Sequence, residues 1–236
     1  MSLTLLAQLQ LRDRENQPAS CVERNGFCPD WIADNWERYK APFWEHLELT
    51  LISVTIGFVI AFSLALIAHR RRWLIPPITQ VTGILYTLPS VALFFLLLPL
   101  TGRGKTTAII ALVAYTLLII FRNVITGLEE VPAEARDAGR GMGLTPNQLL
   151  WRVELPLALP AVMAGLRIAV TTTVGLTALV FLAGAGGLGE EIFNDMQFRS
   201  NVVVAGGLCV LLAVVLDLSV LAVQKLITPW TRGAAT

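Results

Sequence analysis

The chain has 236 residues, of which 55% are hydrophobic and only 15% charged, with a formal net charge of +1. An ordinary soluble domain carries roughly 25% charged residues, and a soluble fold of this length has too much water-facing surface to hide so many apolar side chains. The composition therefore excludes a soluble globular domain, a disordered chain and a disulfide scaffold, and the near-zero charge gives no field for nucleic acid. The bilayer is the solvent that fits, at about 20 apolar residues for each spanning helix.

Residues 1–46 form a polar, slightly acidic segment. Its apolar patch, Met1–Leu11, is short and lacks the basic leader of a signal peptide. The first predicted span is Leu47–Ala68, stopped by His69-Arg70-Arg71-Arg72. The second is Ile78–Leu100 with Pro89 inside it, and the third is Thr107–Phe121. A polar loop follows over 122–160, then a fourth span at Ala161–Ala183 and a fifth at Val202–Leu226. The prediction is an all-α membrane protein with five transmembrane helices, a permease body over 47–229 and a short tail at 230–236.

The basic loops fix the expected orientation. His69–Arg72, the 122–160 loop and the tail fall on one face, which the positive-inside rule assigns to the cytoplasm. The N-terminus is then outside and the C-terminus inside. Cys21 and Cys28, with Gly26 between them to turn the chain, fall on the oxidising side, where either a small-loop disulfide or two reduced thiols fit. Cys209, inside the fifth span, reads as inert packing.

Enzyme chemistry finds no footing. The chain has two histidines, His46 and His69, at opposite ends of the first span, so neither a histidine metal site nor a catalytic triad can assemble. No phosphate-binding loop with a Gly-Lys-Ser/Thr ending is present, so no nucleotide cofactor is expected in this chain. Gly184-Ala-Gly186-Gly187-Leu-Gly189 matches a dinucleotide fingerprint but follows an apolar span rather than a strand. These glycines read instead as a tight turn where side chains would clash.

The 122–160 loop carries the distinctive pattern. A first short helix is expected over Ala133–Met142, with Pro132 at its start, Glu134 and Asp137 in its N-terminal half and Gly143 as its stop. Thr145-Pro146-Asn147-Gln148 reads as a capped second helix ending at Leu155-Pro156. Arg136 and Arg140 stand four apart on one face, where they repel unless an acid pairs with them, so an acidic partner surface is expected. Within the spans, Arg167 and Asp217 lie at matching depths, which predicts a buried ion pair. Glu48 reads as an interfacial acid at the outer mouth of the first span.

Asp137-Ala138-Gly139, then Gly143 after three intervening residues and Val153-Glu154-Leu155-Pro156 after nine more, resemble the EAA loop of type I, binding-protein-dependent ABC importer permeases. The chain departs with Asp for Glu, Gly for the second Ala and Val for Ile. Ala138–Pro146, Val153–Pro160, Gly184–Gly189 and Leu88-Pro89-Ser90 are similar to permeases of the osmoprotectant type, for glycine betaine, carnitine and choline.

The resemblance implies an importer subunit in a bacterial inner membrane, with Glu134, Arg136, Asp137, Ala138, Gly139, Arg140, Gly143, Leu155 and Pro156 coupling to an ATPase. It also implies partners: ABC ATPase subunits holding ATP and magnesium, a second permease and an extracytoplasmic binding protein. Tyr86, Pro89, Ser90, Phe94 and Tyr115 are candidates for the pathway, and Gly186, Gly187 and Gly189 for the outer gate. Alternatives are an ABC permease for another small solute, such as an amino acid or methionine, and a membrane channel or scaffold with no ATPase.

Overall fold

The structure, a computed structural model, describes Cys21 and residues 25–230. The Met1–Leu11 patch and all but the first residue of the predicted tail 230–236 lie outside the described residues. The elements are α1 (Pro29–Asp34), α2 (Glu37–Arg70), α3 (Ile75–Thr87), α4 (Ser90–Thr101) and α5 (Lys105–Glu129). Then come α6 (Ala133–Gly141), α7 (Pro146–Leu149), α8 (Leu155–Thr177), α9 (Leu188–Asn194) and α10 (Arg199–Ile227).

Among the described residues, four helical stretches are long and apolar enough to cross a membrane unbroken: Glu37–Arg70, Lys105–Glu129, Pro146–Thr177 and Arg199–Ile227. The expected second span is instead two helices meeting at 99°. Proline explains the break. Pro89 cannot donate to the ladder and forces Leu88 out of the helical region, to ψ 133°. Inside a bilayer a freed carbonyl needs a partner, and the Tyr115 hydroxyl donates to Leu88 O.

Contacts give the direction of each helix. Lys105, at the start of α5, meets Glu45 and Glu48 near the start of α2, while Glu154 bridges His69 at the end of α2 to Arg136 just past α5. Helices α2 and α5 therefore run parallel. The broken pair α3–α4 carries the chain back from the His69 end to the Glu45 end. We call these the basic and acidic ends.

Packing follows membrane rules, under which helices cannot gain by hiding apolar surface from lipid. On α2 the buried residues Ser53, Gly57, Ala61 and Ala65 recur every fourth position as one small-residue stripe, which lets α5 approach closely. At Gly57 a Cβ would stand 1.8 Å from Thr116 Oγ1. Two apolar clusters lie along this seam. One, toward the basic end, includes Ile120, Phe121, Val124, Leu128 and Leu155; the other, toward the acidic end, includes Leu49, Phe94, Leu112 and Val180.

Several boundaries differ from expectation. Helix α2 begins at Glu37, about ten residues before the predicted span, because the helical backbone runs on through polar residues once hydrogen bonding continues. Residues 122–129 belong to α5 rather than to a loop. The second loop helix does not stop at Leu155-Pro156 but passes directly into α8. Pro156 lacks an N–H and its ring would press on the carbonyl of Arg152, so the preceding turn widens into a π-helix over Leu150–Glu154.

Candidate functional site

The basic end presents a compact hairpin built from α6 and α7. Helix α6 ends in a Schellman turn: Gly143 takes φ +78°, its N–H donates to Arg140 O and that of Leu144 to Gly139 O. Thr145 opens α7 with a capping box, in which Gln148 N donates to Thr145 Oγ1 and Thr145 N to Gln148 Oε1. Gly139 is buried, and a Cβ there would stand 2.6 Å from Leu149 Cδ1. The glycine that replaces the second alanine of the EAA pattern thus makes room for a leucine tip.

Helix α6 divides into two faces. Glu134, Asp137, Ala138 and Arg140 are exposed, with Asp137 and Arg140 joined at 3.3 Å while their side chains remain 71% and 66% accessible. Arg136 turns inward. The expectation that Arg136 and Arg140 share an outward basic face is therefore corrected. Arg136 Nε donates to Glu154 Oε1 at 2.9 Å, and its Nη2 donates to the carbonyl of Leu128. Glu154 Oε2 lies 3.0 Å from His69 Nε2, and Arg70 Nη2 donates to Asn147 Oδ1 at 2.6 Å. Leu155 is buried beside this hub, and Pro156 is half-buried.

At the acidic end the glycine run is a tight turn. Gly184 and Gly187 take φ +81° and +98°, which side chains disfavour. Gly186 presses on Glu45, and a Cβ on Gly189 would sit 1.8 Å from the carbonyl oxygen of Ala178. Helix α9 is clasped by Arg38, whose guanidinium meets Glu191 at 2.8 Å and Asp195 at 2.9 Å and lies 5.6 Å above the Trp31 ring. Glu48, read as merely interfacial, pairs with Lys105 at 3.1 Å.

Cys21 and Cys28 are disulfide-bonded. The segment they staple docks on α10, where Asn25 Oδ1 accepts from Arg199 N at 2.8 Å and Ser200 Oγ accepts from Cys28 N at 2.8 Å. Cys209 is half-buried with a free thiol. Among the described residues no cluster of metal-ligating side chains occurs.

The candidate pathway aromatics differ in exposure. Phe94 is fully buried between helices of this chain, so it cannot face a path along the surface. Tyr115 is buried too, with its hydroxyl spent on Leu88. Tyr86 is exposed beside it, ring centroids 6.0 Å apart, and Pro89 and Ser90 form the break. Arg167 and Asp217 form a two-pronged pair at 2.8 and 2.7 Å. The pair is only half-buried, because α10 lies at the edge of the bundle with α8 as its main partner.

Sequence reasoning missed Glu154 as the hub, the Arg38 clasp and the stripe on α2. The stripe was legible as four small residues at a spacing of four. Glu154 left a weaker signal, a lone acid two residues after Arg152 and just before Leu155-Pro156.

Residues 53–233 match the family described as the binding-protein-dependent transport system inner membrane component. The chain belongs to this family. It is 36% identical over 206 residues to the osmoprotectant import permease protein OsmW of Salmonella typhimurium, covering 84% of this chain and 96% of that one. It is 35% identical over 188 residues to the choline transport system permease protein OpuBB of Bacillus subtilis, covering 79% and 87%. A chain of the MetNI methionine ABC transporter in an inward-facing conformation superposes with a TM-score of 0.68 at 28% identity, covering 81% of this chain and 94% of that one. As a family member the chain is a permease component of an ABC importer in the inner membrane, not an enzyme. ATP hydrolysis belongs to a separate subunit, and a binding protein is part of the system in general.

Proposed function

We propose that this chain is the permease of an importer for osmoprotectants of the quaternary ammonium class: glycine betaine, carnitine and choline. The relatives named for osmoprotectant and choline transport, aligned over most of the chain, support this solute class. The observation that carries the mechanism is the exposed face of α6, a short rod fixed to the ends of the long helices.

In this reading the basic end faces the cytoplasm, as the positive-inside rule asks. The α6 rod is the coupling helix and seats Glu134, Asp137, Ala138 and Arg140 in a groove of an ATPase subunit. Arg136, Gly139, Gly143, Leu155 and Pro156 hold the rod in place. ATP and magnesium sit in the ATPase, and this chain holds neither. A second permease, identical or paralogous, completes the pathway, and the binding protein meets the glycine turn at Gly186, Gly187 and Gly189. Closure of the ATPase dimer moves the rod, which requires contacts that differ between the two states. Tyr86, Pro89 and Ser90 flank the pathway at the broken span.

The test is co-expression with the neighbouring ATPase and binding protein, followed by solute uptake into proteoliposomes. Stoichiometric copurification and uptake of glycine betaine or choline are expected; Gly143→Pro should abolish solute-stimulated hydrolysis. Copurification without an ATPase would overturn the reading. The likeness to the methionine transporter favours one second reading, a permease for an amino acid, which uptake of methionine in place of betaine would establish.

A further inference from the structure

The four parts of the basic end meet at one carboxylate. Glu154 lies in the π-helical turn at the base of α8, and only 9% of its side chain is accessible. One oxygen accepts from Arg136 on α6, and the other faces His69 at the end of α2. Arg136 in turn donates to the carbonyl of Leu128 near the end of α5. Apart from this hub, α6 is fastened by its chain ends and by the packing of Gly139 on Leu149, since its other residues are small or point to solvent.

We propose that Glu154 is the positioning residue that makes the α6 rod and the helices α2, α5 and α8 one lever. The inference rests on the reading of α6 as a coupling helix. A rod transmits motion only if it cannot turn on its own mounting, and small residues alone give a mounting that slides. A buried carboxylate with both oxygens engaged resists sliding, because losing either partner leaves charge unpaired in a poorly solvated place. The π turn contributes by placing Leu150 and Glu154 together on the buried face while Trp151 and Arg152 stay exposed. Glu154 touches neither nucleotide nor solute in this scheme; it acts through Arg136 and His69.

The test compares variants of the assembled importer in proteoliposomes, reading solute transported per ATP hydrolysed. Glu154→Gln should copurify with the ATPase and still hydrolyse ATP, while transport per ATP falls about tenfold, within the usual range of coupling between sites. His69→Leu, which removes one partner of the carboxylate, should lower the ratio about fivefold. His69→Gln keeps an N–H donor of similar reach and should restore the ratio to near the parent value. An unchanged ratio in Glu154→Gln, or equal ratios in His69→Leu and His69→Gln, overturns the proposal. Should Glu154→Gln fail to assemble, the two His69 variants decide the question alone. Failure of the parent chain to bind any ATPase is a separate outcome, which removes the coupling reading itself and this inference with it.

Discussion

At the basic end one carboxylate, Glu154, is shared by Arg136 and His69, whereas at the acidic end one guanidinium, Arg38, is shared by Glu191 and Asp195. Both hubs pin a short helix to the long ones, α6 in the first case and α9 in the second. They differ in solvation. Glu154 is almost enclosed and its cation also satisfies a backbone carbonyl, while Arg38 remains 30% accessible and spreads over two aromatic rings. A buried hub resists deformation but is costly to break, and a half-open one yields at little cost. The basic end is thus the stiffer of the two ends.

The contrast is sharpest in the hubs. Arg136→Ala leaves Glu154 short of a partner in a dry place and should cost about 3 kcal/mol, read by unfolding in detergent. Arg38→Ala frees the exposed Asp195 and the partly enclosed Glu191 and should cost about 1 kcal/mol. Equal losses would break the comparison. The glycines come next. Gly189→Ala drives a methyl into the backbone carbonyl of Ala178, which cannot retreat, and should destabilise by about 2–3 kcal/mol. Gly139→Ala meets only the mobile tip of Leu149 and gains helix propensity, so its net change should stay within about 1 kcal/mol.

Removing the staple with Cys21→Ser and Cys28→Ser, separated by seven residues, should loosen that segment by about 2 kcal/mol on loop-closure grounds. Limited proteolysis before α2 should accelerate while unfolding of the bundle is unmoved; a lower bundle midpoint would show that the staple supports the whole acidic end. The smallest stability effect is expected at Asp137→Lys, on the exposed rod, at less than about 0.5 kcal/mol. Solute-stimulated ATP hydrolysis should nevertheless be lost, and normal hydrolysis in that variant would detach the rod from coupling.

Much of this was legible beforehand because its causes are local. The α6 stop at Gly143 and the α7 capping box depend on residues within a few positions of one another. Hydropathy found the long helices, since a bilayer imposes their length. Pro89 announced a disturbance in the second span but not its size. Whether a proline bends a helix or breaks it depends on who takes the freed carbonyl, and Tyr115, on another helix, does so. The same reason hid the end of the second loop helix: Pro156 reads as a stop, yet a widened turn carries the helix past it.

The sequence by itself determined an all-helical membrane chain, its EAA-type hairpin and the depth match of Arg167 with Asp217. Those follow from apolar length, capping chemistry and spacing along single helices. Only the tertiary structure decided that Arg136 faces inward, that Phe94 is sealed within the chain, and that Glu154 and Arg38 are the two hubs. Arg38 and its acids stand more than 150 residues apart. No periodicity reports such a meeting; it exists only once α2 and α9 are brought together at one end of the bundle.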